Sequence, residues 1–159
     1  MAIEIERKFT LKNNNWQQRV ERSSRIRQGY LVSGMEPGQP SSVRVRIEAD
    51  KASLNIKSVV LGRARHEFEY PIPLADAEYL LAELCKPHVI EKTRHIVMHA
   101  DQRWEIDVFE GLNQGLEMAE IELPDIDCGF AMPDWAGEEV TDDMRYYNIY
   151  LVEHPYIQW

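Results

Sequence analysis

The chain has 159 residues, 44% of them hydrophobic and 28% charged, a length and balance that suit one soluble domain with a sizeable core. Its formal net charge of −9 argues against general binding to nucleic acid or to an anionic membrane, while leaving room for a local basic pocket. Two cysteines, Cys85 and Cys128, without a CxxC pattern or zinc-spaced histidines, indicate a reduced, cytoplasmic chain; charge from Glu4 onward speaks against a signal peptide, and no apolar run approaches the roughly 18–20 residues of a membrane span.

Residues 3–11 alternate as a strand does, with Ile3, Ile5, Arg7, Phe9 and Leu11 on one parity and Glu4, Glu6 and Lys8 on the other. Residues 13–22 read as a short helix with an Asn cap and Trp16 and Val20 on one side. A strand over 26–33 and a Pro/Gly/Ser loop over 35–42 follow. Residues 42–49 set Val43, Val45 and Ile47 against Arg44, Arg46 and Glu48, and 53–60 set Leu54 and Ile56 against Ser53, Asn55 and Lys57. The short ADKA connection between them predicts an antiparallel hairpin. Residues 65–72 alternate again, with Arg65, Glu67 and Glu69 together. Residues 74–85 are the clearest helix, with Leu80, Leu81 and Leu84 as its apolar stripe and Pro87 as its stop. Strands over 89–99, 103–111 and 115–125 carry Lys92/Arg94, Glu105/Asp107 and Glu120/Glu122. The acidic stretch through Val140 reads as loop, and Thr141 caps a short helix through Leu151. Eight strands suffice to close a small barrel.

Alternation alone fits a half-solvated sheet. Two features point elsewhere. Charged sides are dense on at least six strands, and the charges segregate: arginine and lysine on the third, fourth and sixth strands, carboxylates on the first, seventh and eighth. If the sheet closes, these sides converge on the barrel axis. So many buried charges are costly unless paired or ligand-bound. A polyanion for the cations and a hard divalent ion for the carboxylates would supply both sets of partners, and oxygen-only ligands suit Mg2+ or Mn2+ better than zinc. Carboxylates at i and i+2 of a strand lie roughly 6.5–7 Å apart on one face. Two such pairs could share one ion if the first and eighth strands are neighbours, as closure also requires.

Glu4-Ile5-Glu6-Arg7-Lys8 resembles the ExExK signature of the CYTH superfamily, the triphosphate tunnel metalloenzymes. So do, in family order, Gln28-Gly29-Tyr30, Arg44-Val45-Arg46, Lys57, Glu67-Phe68-Glu69, Lys92-Thr93-Arg94, Trp104 to Phe109, Glu120-Ile121-Glu122 and Glu139 to Asn148. The resemblance spans nearly the whole chain, taken as one domain over 1–159. It implies a mainly β fold: a closed eight-stranded antiparallel barrel with a few flanking helices, enclosing a triphosphate and Mg2+ or Mn2+. It carries metal binding onto Glu4, Glu6, Asp107, Glu120 and Glu122. Phosphate binding falls on Lys8, Arg44, Arg46, Lys57, Arg65, Lys92 and Arg94, and the catalytic candidates are Lys8, Lys57 and Glu69. The Glu67/Glu69 pair either orients basic residues or meets a second metal. Tyr30 and Trp104 are expected to pack rather than stack on a base, and the five histidines share no catalytic spacing. The implied activity is metal-dependent hydrolysis of tripolyphosphate or a similar small triphosphate. The alternatives are an adenylate cyclase of the same superfamily and a non-catalytic polyphosphate or nucleotide binder. No nucleic acid or membrane partner is expected, and a homodimer is left open.

Overall fold

The structure, a computed structural model, describes residues 2–60 and 63–159. Nine strands form one antiparallel sheet: β1 (Ala2–Leu11), β2 (Val20–Val32), β3 (Ser41–Glu48), β4 (Lys51–Ser58), β5 (Ala64–Pro71), β6 (Ile90–His99), β7 (Gln102–Phe109), β8 (Glu117–Glu122) and β9 (Ala136–Glu139). Their order is β5-β4-β3-β2-β6-β7-β8-β1-β9, and a further β5–β1 pairing closes the first eight into a barrel. The first strand does most of the closing. Ala2 to Ile5 pair with β5, Glu6 to Thr10 pair with β8, and Phe9 and Leu11 meet β9 across a register shift.

Two tight hairpins set the register of the charged walls. Ala49, between β3 and β4, has φ of 53°, and Ala100 and Asp101, between β6 and β7, have φ of 48° and 61°. Positive φ at both central residues of the second turn, Ala100 and Asp101, matches the right-handed twist of the flanking strands, and the first turn has it at Ala49.

The wall is apolar outside and charged inside. Phe9, Val97, Trp104, Ile106, Ala119 and Ile121 face outward and are buried beneath Trp16, Trp135 and Ala136. Trp104 packs edge-on against Trp135, with ring centroids 5.3 Å apart, and so is a packing residue, as expected. A second outer cluster, built on Val45, Ile47 and Ala52, is covered by helix α1 (Leu74–Tyr79) and the π turn that continues it to Leu84. At one end the inward parity turns apolar: Tyr30, Ile90, Phe109, Leu116 and Met118 meet Leu151 and Val152 of helix α2 (Asn148–Glu153) and plug the barrel. Tyr30 therefore packs too.

Three local expectations are corrected. Residues 13–22 are not a helix. A 3₁₀ turn over Asn15–Arg19 drops Trp16 into the outer core, and β2 then begins at Val20, paired with Val97. Cross-strand hydrogen bonds outweigh a helical signal too short to stand alone. The acidic stretch before Val140 is not all loop, because β9 docks on β1 and carries Trp135 beside it. Finally, the buried stripe of the central helix is Ala77, Leu81 and Cys85 rather than one including Leu84, which is 53% exposed.

Candidate active site

The inward side chains enclose a chamber of about 430 Å³. Its carboxylate wall comes from β1 and β8, which are indeed neighbours. Glu6 stands directly opposite Glu122, and Lys8 opposite Glu120. The basic wall comes from β3, β4, β5 and β6, and the antiparallel register fixes its partners. Arg94 lies opposite Asp107, and Lys57 opposite Glu67.

The charges interlock. Lys57 Nζ donates to both oxygens of Glu4, at 2.9 and 2.8 Å. Arg65 Nε donates to Glu4 Oε2 at 2.7 Å, and its Nη2 to Glu6 Oε1 at 3.3 Å. Lys8 Nζ bridges Glu6 and Glu120, the latter at 2.5 Å. Arg94 grips Asp107 with two bonds of 2.7 Å and reaches Glu120 at 3.0 Å. Asn55 donates to Glu67 at 3.0 Å and to Glu69 at 2.5 Å, so a buried amide orients both carboxylates at the mouth.

Each group's ionisation follows from this pairing. Burial alone would raise the Glu120 carboxyl, but Lys8, Arg94 and Lys92 outweigh it and hold it well below the usual range. Glu4 is likewise lowered, burial being overcome by Lys57 and Arg65. Burial depresses Lys57 to about 8, helped by Arg44 and Arg65, and depresses Lys92 to about 8 as well. Arg46 falls to about 10, again through burial and the nearby Arg44 and Arg94. Glu122 is the contrary case. Burial and the adjacent Glu4, Glu105, Glu6 and Glu67 raise it, and among the described residues it has no ion-pair partner.

Of the residues singled out in the sequence, Glu4, Glu6, Lys8, Arg44, Arg46, Lys57, Arg65, Glu69, Arg94, Glu120 and Glu122 line this chamber. Lys92 and Asp107 do not. They are buried beside it at the plugged end, 2.5 Å apart, with Asp107 also held by Arg94. Arg145, the basic residue of the tail, points away: it is 58% exposed at its side chain and pairs with Asp143. Two side chains to which the sequence pattern assigns no role matter here. Asn148 of α2 lines the chamber, and its Oδ1 accepts from Lys92 Nζ at 3.2 Å. Asn55 is the other, inward by the parity of Lys57 but uncharged.

Two features ask for an anion and a cation together. The Nε atoms of Arg44 and Arg46 are buried with no hydrogen-bond partner among the described residues, and Arg44 comes no closer than 3.7 Å to its nearest carboxylate, Glu67. Buried donors without partners are costly, so these two guanidinium groups suit an incoming phosphate. The chamber lining carries eight carboxylates against seven cations. It has no surplus positive charge for a polyanion, which fits a substrate that arrives with a divalent ion. The donors suit that ion, since oxygen-only carboxylates at i and i+2 on adjacent strands are hard ligands for an octahedral cation.

A family profile for the CYTH domain matches residues 2–154. An inorganic triphosphatase of Acetivibrio thermocellus is 42% identical over 156 residues, covering 98% of this chain and 97% of that protein. An inorganic triphosphatase of Nitrosomonas europaea is 35% identical over 126 residues, covering 77% and 80%. The crystal structure of an inorganic triphosphatase superposes with a TM-score of 0.64 at 32% identity, over 96% of this chain and 95% of that one. The profile runs from the first strand through the second helix, the same span that builds the charged barrel, and the chain belongs to the CYTH domain family.

Proposed function

We propose that this protein is a divalent-metal-dependent hydrolase of inorganic triphosphate. The observation that carries the reading is the pair of buried Nε atoms without a hydrogen-bond partner, on Arg44 and Arg46, two arginines that share one chamber with a four-carboxylate wall. The names of the two relatives and of the superposed structure support it. In this reading Glu4, Glu6, Glu120 and Glu122 hold Mg2+ or Mn2+, and Asp107 joins them when Arg94 and Lys92 release it. When bound, the ion polarises the phosphate chain and offsets its charge.

The chain's own side chains do the rest. Arg44, Arg46 and Arg94 clamp phosphate oxygens with their forks, while Lys8, Lys57 and Arg65 neutralise the transferred phosphoryl and the leaving group. Lys92 supports Arg94 and Asp107 from below. Glu69, exposed at the mouth and fixed by Asn55, orients the attacking water. An intact carboxylate set is more than a pure phosphate binder needs. The triphosphatase names of the two relatives favour hydrolysis over cyclisation. We extend the reading to one domain over 1–159 and to a cytoplasmic location, supported by two free cysteines. Among the described residues no helix is long and apolar enough to cross a membrane.

The test is a substrate panel of tripolyphosphate, ATP, thiamine triphosphate and pyrophosphate with Mg2+ or Mn2+, reading phosphate and cyclic AMP together. Phosphate from tripolyphosphate is expected; cyclic AMP from ATP, or binding without turnover, would replace the reading. Glu4→Gln and Glu120→Gln should each abolish metal-dependent turnover while circular dichroism stays unchanged. Full activity in either would remove that residue from the metal set.

A further inference from the structure

Arg65 sits in an unusual place. Its Nε and Nη2 reach one oxygen each of Glu4 and Glu6, the i and i+2 carboxylates of β1, so its guanidinium fills the space between them. Its other face lies over the Tyr147 ring, 5.6 Å from the centroid. Lys57 and Lys8 engage the same two carboxylates from either side. Among the described residues no three side chains of His, Cys, Asp or Glu converge closely enough to hold a metal as they stand. The carboxylates are present, but cations of the chain itself occupy the oxygens of Glu4, Glu6 and Glu120.

We propose that Arg65 competes with a divalent ion for the space between Glu4 and Glu6, and that handing its guanidinium to the phosphate chain makes metal and triphosphate bind cooperatively. The inference rests on the triphosphatase reading above and deepens it. A metal binding alone must expel a buried guanidinium that cannot deprotonate, leaving it without a partner. A triphosphate binding alone can draw Arg65 away only by leaving Glu4 and Glu6 less neutralised. When both arrive, the ion takes the carboxylates and the phosphate takes the guanidinium, so no buried charge is orphaned. Arg65 is suited to the exchange because it lines both the charged chamber and a smaller cavity of about 80 Å³ beside α2, so its fork has room to move.

The test is a binding cycle. Mn2+ binding is read from loss of the free-ion electron paramagnetic resonance signal. Binding of imidotriphosphate, whose P–N–P bridges resist cleavage, is read by calorimetry with EDTA present. Each is then repeated with the other ligand saturating, after correction for Mn2+–imidotriphosphate association measured without protein. The wild type should show each ligand tightening the other by the same factor, roughly tenfold or more, because coupling is reciprocal. Arg65→Gln should bind Mn2+ alone at least about tenfold tighter and lose most of the coupling. Arg103→Gln removes an exposed cation from the same chamber and should change neither.

Coupling below about threefold in the wild type overturns the proposal. So does retained coupling in Arg65→Gln, or an equal rise in Mn2+ affinity in Arg103→Gln. If Arg65→Gln fails to fold, Arg65→Lys replaces it: it keeps the charge, loses the fork across both carboxylates, and should reduce the coupling. Coupled binding without phosphate release leaves the inference standing and sinks the triphosphatase reading. Hydrolysis without coupling does the reverse.

Discussion

Lys57 is pulled two ways. Burial and two neighbouring guanidinium groups push its proton off, while Glu4 and Glu6 hold it on, and the balance leaves its pKa at about 8 against an ordinary 10.5. Below pH 8 it is an ammonium able to meet phosphate. Above pH 8 it is neutral, so kcat/KM for tripolyphosphate should fall as pH rises through about 8. Lys57→Arg, which cannot titrate there, should flatten that alkaline limb. The stability effect has the opposite sign. The unfolded chain binds this proton more tightly, so stability rises as pH climbs from about 8 to 10.5. Arg44 predicts differently. With Nε unpartnered and Glu67 no closer than 3.7 Å, Arg44→Ala should leave the urea midpoint nearly unchanged or higher. It should still weaken tripolyphosphate binding by about 1.5–3 kcal/mol, measured by calorimetry or KM. Most of the wall residues were legible because charge on alternate residues is a one-dimensional signal. Their partners depend on register. Arg94 falls opposite Asp107 only once a two-residue turn is placed at Ala100-Asp101, which also explains why Asp107 reads as a metal ligand in sequence yet is clamped by arginine in the fold. Asn55 and Asn148 carry no role in the sequence pattern because a neutral amide does not stand out among charges.

At the scale of elements, each outer apolar face needs a cover, and the covers differ in kind. The α1 segment and its π turn approach β2 so closely that a Cβ on Gly29 would lie 2.6 Å from Cys85 Cβ and 3.2 Å from Leu81. Gly29→Ala should therefore destabilise by about 1–3 kcal/mol through overpacking, seen as a lower urea midpoint at unchanged slope. Gly29 itself faces the outer cover and not the chamber, so KM should move little. The other cover is not a helix at all. A 3₁₀ turn delivers Trp16, and the segment leading into β9 delivers Trp135. The eight barrel strands were readable from their alternation, although β9 was not. These covers were not, because a single buried tryptophan in a polar, acidic stretch carries no period from which an element could be recognised.

At the scale of the molecule, the barrel places its charges inside and its apolar residues outside, the reverse of an ordinary small barrel filled with aliphatic side chains. Such an interior adds little to stability on its own, since buried ion pairs roughly offset their desolvation. Occupying it should therefore be felt across the whole fold. Mn2+ with imidotriphosphate at about 100 times their joint Kd should add ~2.7 kcal/mol and raise Tm by about 5–10 °C, reversed by EDTA. A melt that does not respond would mean that the pair does not bind the folded chamber. The threefold pairing of β1 has a further consequence, for synthesis. This strand precedes the other eight of the sheet in the chain, yet Lys8 must wait 112 residues for Glu120 and longer still for β9. Contacts so distant in sequence slow folding and leave an apolar outer wall uncovered meanwhile. A nascent chain stalled before β8 would carry both carboxylates of the first strand and still have no chamber. The protein cannot acquire its chemistry in stages, only at once, when the last strands reach back to the first.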